Sequence, residues 1–209
     1  MQYLPEFLTV AFVHLLAVMS PGPDFAMITR NSLMYSRKTS IYSAIGLGFG
    51  ILVHVSYSLI GIGFIIAKSI LLFSVIKFLG AGYLIYIGYK SLRAKSHAEK
   101  VKRLEKQDDI DKLSAIRTGF LTNVLNPKAT LFFLALFTQV IHPSTPTAIK
   151  VGYGIEMSIV TFLWFAFIAS VFSHKIIKTR VTAVQHYAER VIGVILIVLG
   201  IKVALANAK

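Results

Sequence analysis

The chain has 209 residues, 56% of them apolar and 15% charged, with 22 Lys+Arg against 9 Asp+Glu and a formal net charge of +13. An ordinary soluble domain is about 45–50% apolar and about 25% charged, so this composition excludes a disordered or collagen-like chain and argues against a soluble enzyme. Cys is absent, which removes disulfides, thiol nucleophiles and Cys-ligated metals.

A bilayer-crossing helix takes about 20 mostly apolar residues, and the chain offers six such stretches. The first, about 3–35, is interrupted at Ser20-Pro21-Gly22-Pro23-Asp24. It has no Lys or Arg ahead of its apolar part and stays apolar beyond any cleavage point, so it reads as a span and not as a secretory leader. The second, about 41–67, is rich in Gly and holds His54 as its only ionisable residue. The third covers about 69–90. A polar, mixed-charge stretch at 93–117 follows and reads as a solvated loop. The fourth span, about 119–141, is interrupted at Asn126-Pro127-Lys128; the fifth, about 149–173, contains Glu156; the sixth covers about 191–206. Backbone polar groups in lipid must be bonded internally, so the spans are predicted to be helices. The fold expected is an all-α integral membrane protein.

Sixteen of the Lys and Arg residues fall between spans one and two, three and four, or five and six, against five on the other side; Lys128 lies inside a span. The positive-inside rule puts the sixteen in the cytoplasm and both termini outside. That placement accounts for the net charge without a nucleic-acid partner.

The two halves overlay. Pro21 and Pro127 are 106 residues apart, as are Gly46 and Gly152, and Gly48 and Gly154. In the third span of each half, Lys77-Phe78-Leu79-Gly80 is similar to Arg190-Val191-Ile192-Gly193. Three spans per half is an odd number, so the second half enters the bilayer from the opposite side. The expected architecture is six transmembrane helices in an inverted 3+3 repeat, with broken first and fourth helices. The repeats are 1–92 and 118–209, joined by a charged cytoplasmic loop at 93–117. Secondary transporters are built this way, with their sites at discontinuous helices near the midplane. An ordinary bundle with two kinked helices is the plainer alternative.

Proline breaks a helix interior but suits its first position. Ser20 before Pro21 and Asn126 before Pro127 are good N-cap residues, so each interruption is predicted to start a new half-helix there. Such an end presents unpaired N–H groups and a partial positive charge, able to hold a carboxylate. Asp24 and Lys128 sit beside the breaks, where a charge is expensive and is paired or functional. Asp24 would receive a substrate ammonium or a carried proton. Lys128 would hold a carboxylate, or the two would form a structural ion pair. Glu156 lies four residues after Gly152, on a face expected to pack inward, and is a proton-coupling candidate together with Asp24 and His54. His14 is a weaker one. No spaced His/Cys/Asp cluster, HExxH or P-loop lysine motif occurs, so neither a metal site nor a cofactor is expected.

The runs Ser20-Pro21-Gly22-Pro23-Asp24, Arg30-Asn31-Ser32-Leu33 and Leu52-Val53-His54 resemble the LysE/RhtB family of amino-acid exporters. So do the run from Leu79 to Gly88 and, most specifically, that from Gly119 through Asn126-Pro127-Lys128 to Ala129. The resemblance implies a multi-pass exporter in the bacterial inner membrane, driven by the proton gradient or membrane potential. Its substrate would be an amino acid or close derivative. Carried onto this chain, the substrate-binding residues are Ser20, Pro21, Gly22, Pro23, Asp24, Asn126, Pro127 and Lys128. The implied partners are the substrate, protons and the lipid bilayer; self-association is left open. The chain departs from many members at Ile51, where they carry a polar or acidic residue, and near Phe137-Thr138-Gln139, where they carry a proline. Two rivals stand beside this reading: an exporter of a metal or other small inorganic ion, and a membrane scaffold or enzyme subunit that transports nothing.

Overall fold

The computed structural model describes residues 2–68 and 107–172, with further residues scattered through 75–93 and 187–205. Among them all regular structure is helical: α1 (Leu4–Met19), α2 (Pro23–Met34), α3 (Arg37–Lys68), α4 (Lys112–Val124), α5 (Pro127–Gln139) and α6 (Thr147–Phe172). The segments Arg37–Gly61 and Thr147–Phe172 are each long and apolar enough to cross a membrane. The pairs α1+α2 and α4+α5 pass the same test together, bent by 54° and 57° at their breaks. Parts of the third and sixth predicted spans lie outside the described residues. At the described positions there, Gly88 and Gly193 meet closely: a Cβ on either would stand 2.6 Å from the other's carbonyl oxygen.

The exposed faces of these helices are apolar. On α6, Val151, Ile155, Ile159, Leu163 and Phe167 recur every four residues and are all exposed. Leu4, Leu8, Phe12 and Leu15 make a similar stripe on α1. A stripe at this spacing occupies one side of a helix. In water it would be a large liability; against lipid tails it is the expected solvent-facing surface.

Glycines set the inner contacts. A Cβ on Gly46 would run into the carbonyl of Ile116, and one on Gly119 into the carbonyl of Ser43. The backbones of α3 and α4 therefore touch directly, as small residues permit in membranes. On its other side α3 crosses α6. Ser158 Oγ of α6 donates to the Gly48 carbonyl at 2.8 Å, and Val55 of α3 lies 2.6 Å from where a Cβ on Gly154 of α6 would be. Each long helix thus packs on the broken pair of the other half: α3 on α4 and α5, α6 on α1 and α2.

Two ties close the ends. The Glu6 carboxylate, at the start of α1, accepts from the His142 N–H at 2.9 Å and from the Thr145 hydroxyl, so it holds the α5–α6 turn. The Asp109 carboxylate, just before α4, accepts from the Ser36 N–H at 2.7 Å and holds the α2–α3 turn. The Gln107 N–H adds a bond to the Met34 carbonyl.

Three boundaries and faces differ from the sequence expectation. The helix after the first break begins at Pro23, not Pro21: Ser20 is extended and ends α1, and Gly22 is the N-cap. A residue before proline is pushed out of the helical region, so Pro21 keeps Ser20 extended while Pro23 starts the next helix. The helix of the fourth span begins at Lys112, earlier than 119, because Asp111 caps it by accepting from the N–H groups of Leu113 and Ser114. The Ser114 hydroxyl and N–H hold the Asp111 carboxyl below its ordinary range. Gly152 is exposed with nothing near its missing side chain. The inward face of α6 runs instead through Tyr153, Gly154, Met157 and Thr161.

Candidate functional site

The two breaks meet. Lys128, in the first turn of α5, sends its ammonium to the end of α1, donating to the carbonyls of Ser20 at 2.6 Å, Ala17 at 3.2 Å and Pro21 at 3.4 Å. These carbonyls belong to a helix C-terminus, which carries partial negative charge and lacks intrahelical donors. Gly22 makes room for the lysine stem: a Cβ there would stand 3.1 Å from Lys128 Cδ.

Asp24 is held from the opposite half. Its Oδ2 accepts from Asn123 Nδ2 at 2.8 Å and its Oδ1 from Asn126 Nδ2 at 3.1 Å. Asn126 is the N-cap of α5; its Oδ1 accepts from the Lys128 N–H at 3.0 Å while its amide donates to Asp24. An ionised carboxylate has about four lone-pair sites, so two donors leave acceptor capacity over. The N-cap of α2, Gly22, has no side chain, and that helix start is uncapped.

Behind this layer, His54 Nε2 lies 3.0 Å from the Asn123 carbonyl and Nδ1 lies 2.6 Å from the Tyr57 hydroxyl. A carbonyl only accepts, so Nε2 of the neutral ring carries the proton and Nδ1 accepts from Tyr57. The ring stacks on Phe133. His54 therefore reaches Asp24 through one residue, Asn123.

Both breaks line one cavity, together with His14, Phe25, Ile51, Phe132, Phe133, Thr161 and Phe165. It offers about 40 Å³ to the centres of water-sized molecules. One water needs roughly 10–15 Å³ by that measure, so the space suits a few waters or one small solute. It lies where two apolar clusters join, one around Val13, Phe133 and Met157 and the other around Phe25, Leu47 and Phe165.

Of the sequence-predicted residues, Ser20, Gly22, Asp24, Asn126 and Lys128 line this cavity. Pro21 adds a carbonyl to the Lys128 ammonium. Pro23 and Pro127 are exposed and occupy the first positions of α2 and α5, so they shape the breaks without lining the space. Glu156 lies elsewhere on α6; its buried Oε2 has no hydrogen-bond partner among the described residues. Asn123 and Thr161 enter the site without having been singled out for it, and His14, named only as a weaker proton-coupling candidate, lines the cavity as well. Asn123 stands three residues before Asn126, on the same side of the chain, and that spacing was a usable signal. Thr161 gave none.

These two breaks are the segments that carry the resemblance drawn from the sequence, and comparison with known proteins agrees. The model of the LysE type translocator family matches residues 15–207. The chain belongs to the LysE family. It is 34% identical over 168 residues to the threonine efflux protein of Escherichia coli strain K12, covering 80% of this chain and 82% of that protein. It is 33% identical over 176 residues to the threonine efflux protein of Salmonella typhi, with the same coverage. It is 31% identical over 208 residues to the uncharacterized membrane protein YrhP of Bacillus subtilis, covering 94% of this chain and 98% of that one. No solved structure matches. This LysE-family chain is accordingly a membrane translocator and not an enzyme.

Proposed function

We propose that the chain exports amino acids or close derivatives across the bacterial inner membrane, through an inverted 3+3 repeat whose two breaks form the substrate site. The observation that carries this reading is the meeting of the breaks: Asp24 of one is bonded by Asn123 and Asn126 of the other, around a cavity sized for a small solute. The efflux activity named for the 34%-identical relative supports the direction and the class of cargo.

A zwitterion fits the charges. Its ammonium takes the spare acceptor capacity of Asp24. Its carboxylate takes the uncapped N-terminus of α2, beside Gly22, with the Lys128 ammonium adjoining. Substrate binding then loosens the hold of Lys128 on the end of α1, and the two halves rock about the site to alternate access. Three features support the inverted repeat: the reciprocal Gly48–Ser158 and Gly154–Val55 contacts, the exchanged packing of the broken pairs, and the two end ties. Each tie joins segments predicted on the same membrane side, Glu6 with 142–145 outside and Asp109 with Ser36 inside.

The export is coupled to the proton gradient or membrane potential. Of the three candidates, Asp24 faces the cavity, His54 is linked to it through Asn123, and Glu156 stands apart. The test is a panel of radiolabelled amino acids in proteoliposomes, with and without a pH gradient, with cadmium as a control ion. Amino-acid movement that rises with the gradient is expected. Cadmium movement without any amino acid would favour the ion exporter, and no movement of either would favour the scaffold.

A further inference from the structure

We propose that His54 is the positioning residue of the second break: its Nε2–H stands in for the backbone donor that Pro127 removes, and so aims the Asn123 amide at Asp24. This rests on the reading of the two breaks as the substrate site and assigns to that site a residue of α3.

In an α-helix each carbonyl accepts from the N–H four residues on, and proline has no N–H. Pro21 therefore leaves the Ala17 carbonyl without its helical partner, and Pro127 does the same to the Asn123 carbonyl. Ala17 and Asn123 are 106 residues apart, the separation of the two prolines. Both gaps are filled by a side chain of the opposite half. The Lys128 ammonium donates to the Ala17 carbonyl at 3.2 Å, and His54 Nε2 to the Asn123 carbonyl at 3.0 Å. The Asn123 oxygen also accepts from the Asn126 N–H at 2.9 Å. That bond uses one of its two lone pairs, and the ring nitrogen takes the other.

The surroundings of His54 fix both its ring plane and its tautomer. It is fully buried, and its ring lies at 8° to that of Phe133. The Tyr57 hydroxyl, one turn along α3, stands 2.6 Å from Nδ1; by donating there it keeps the proton of the neutral ring on Nε2. One turn in the other direction, Gly50 clears space for the asparagine: a Cβ there would stand 2.7 Å from Asn123 Cβ. Asn123 is thus held by α3 at its backbone and at its side chain, with Nδ2 placed 2.8 Å from Asp24 Oδ2. A shift of about 1 Å would take that bond out of hydrogen-bonding range. The role asks for a fixed N–H and no change of charge, because the imidazolium carries the Nε2 proton too.

The experiment is initial transport rates of full-length variants in proteoliposomes, with whichever radiolabelled amino acid of the panel the wild type moves fastest. His54→Phe keeps the aromatic stack and loses the donor. Its KM should rise about tenfold with kcat within about twofold, since a misaimed Asp24 weakens binding before it affects turnover. His54→Gln puts an amide N–H where Nε2 stands and should recover most of that loss. Tyr57→Phe leaves the ring in place, frees its tautomer and should raise KM by about threefold. The response of His54→Gln to a pH gradient should match that of the wild type. A wild-type KM in His54→Phe or Tyr57→Phe, or a His54→Gln no better than His54→Phe, would overturn the assignment while the export reading stands. So would a His54→Gln with restored KM and no gradient response, which would make the ring a proton carrier. A wild type that moves no amino acid would remove this assignment together with the reading it rests on.

Discussion

Lys128 lies against Gly22, its Cδ 3.1 Å and its Nζ 3.4 Å from the place a Cβ on the glycine would take. The two residues are 106 apart, the separation that also relates Pro21 to Pro127. Equivalent positions of the two halves therefore touch, one filled by a long cation and the other empty to receive it. The proposed inverted repeat requires such a meeting if its two-fold axis passes through the site.

The vacancy at Gly22 is required by contact and not by backbone conformation, since its φ of −171° is ordinary extended chain. Gly22→Ala needs the flexible lysine stem to give by a few tenths of an ångström and should lower transport about twofold. Gly22→Val should push the ammonium off the α1 carbonyls and lower transport by roughly tenfold or more, about 1.4 kcal/mol. Initial rates in proteoliposomes for the two variants check the order; equal rates for Val and wild type would mean that the lysine does not have to stay there.

Asp24→Asn and Lys128→Ala should each abolish export while the protein still reaches the membrane. In Asp24→Asn the two asparagine amides face a third amide in place of a carboxylate, and the substrate ammonium loses its counter-charge. Lys128→Ala leaves the carbonyls of Ala17, Ser20 and Pro21 without their donor. It should also cost about 1–3 kcal/mol of stability, visible as a lower melting temperature in detergent. Wild-type rates from both variants would take these residues out of the mechanism.

Gly119 and Gly152 make a contrasting pair. Gly119→Ala drives a methyl group into the Ser43 carbonyl, so α3 and α4 must separate. Overpacking of this kind costs about 1–3 kcal/mol. Gly152→Ala meets open space and should be neutral or slightly stabilising, because alanine favours helix. Thermal unfolding of both in the same detergent tests the difference; equal stability would mean the α3–α4 contact is looser than drawn.

Because the chain has no Cys, single cysteines can report sidedness without background. Ser144→Cys, in the turn held by Glu6, should react with a membrane-impermeant maleimide on intact cells. Asp108→Cys, beside the Asp109 tie, should react only after permeabilisation. The opposite pattern would invert the topology read from the Lys and Arg distribution.

Much of this could be read in the residues themselves. Uninterrupted apolar stretches mark the long helices, since a backbone in lipid has no other way to satisfy its polar groups. The two proline-centred interruptions, the charges beside them and the 106-residue offset were equally legible, because proline's ring and missing N–H act locally. Asn126 capping α5 followed from the same local rule. At the first break two prolines competed, and the local rule chose the wrong one: only the packed chain shows Ser20 closing α1 and Pro23 opening α2.

Partnership across the fold was decided by tertiary structure alone. Nothing in the order of residues says that the Lys128 ammonium caps the end of α1, that Asn123 bonds Asp24, or that His14 meets Thr161. Such contacts join residues about 100 or more positions apart, and they depend on where glycines let backbones approach. The same applies to the inward face of α6, which is apolar on every side, so periodicity could not orient it and Gly152 proved to face out. Sequence alone determined which segments cross and where they break; the close packing of glycine-lined helices decided which atoms the breaks bring together.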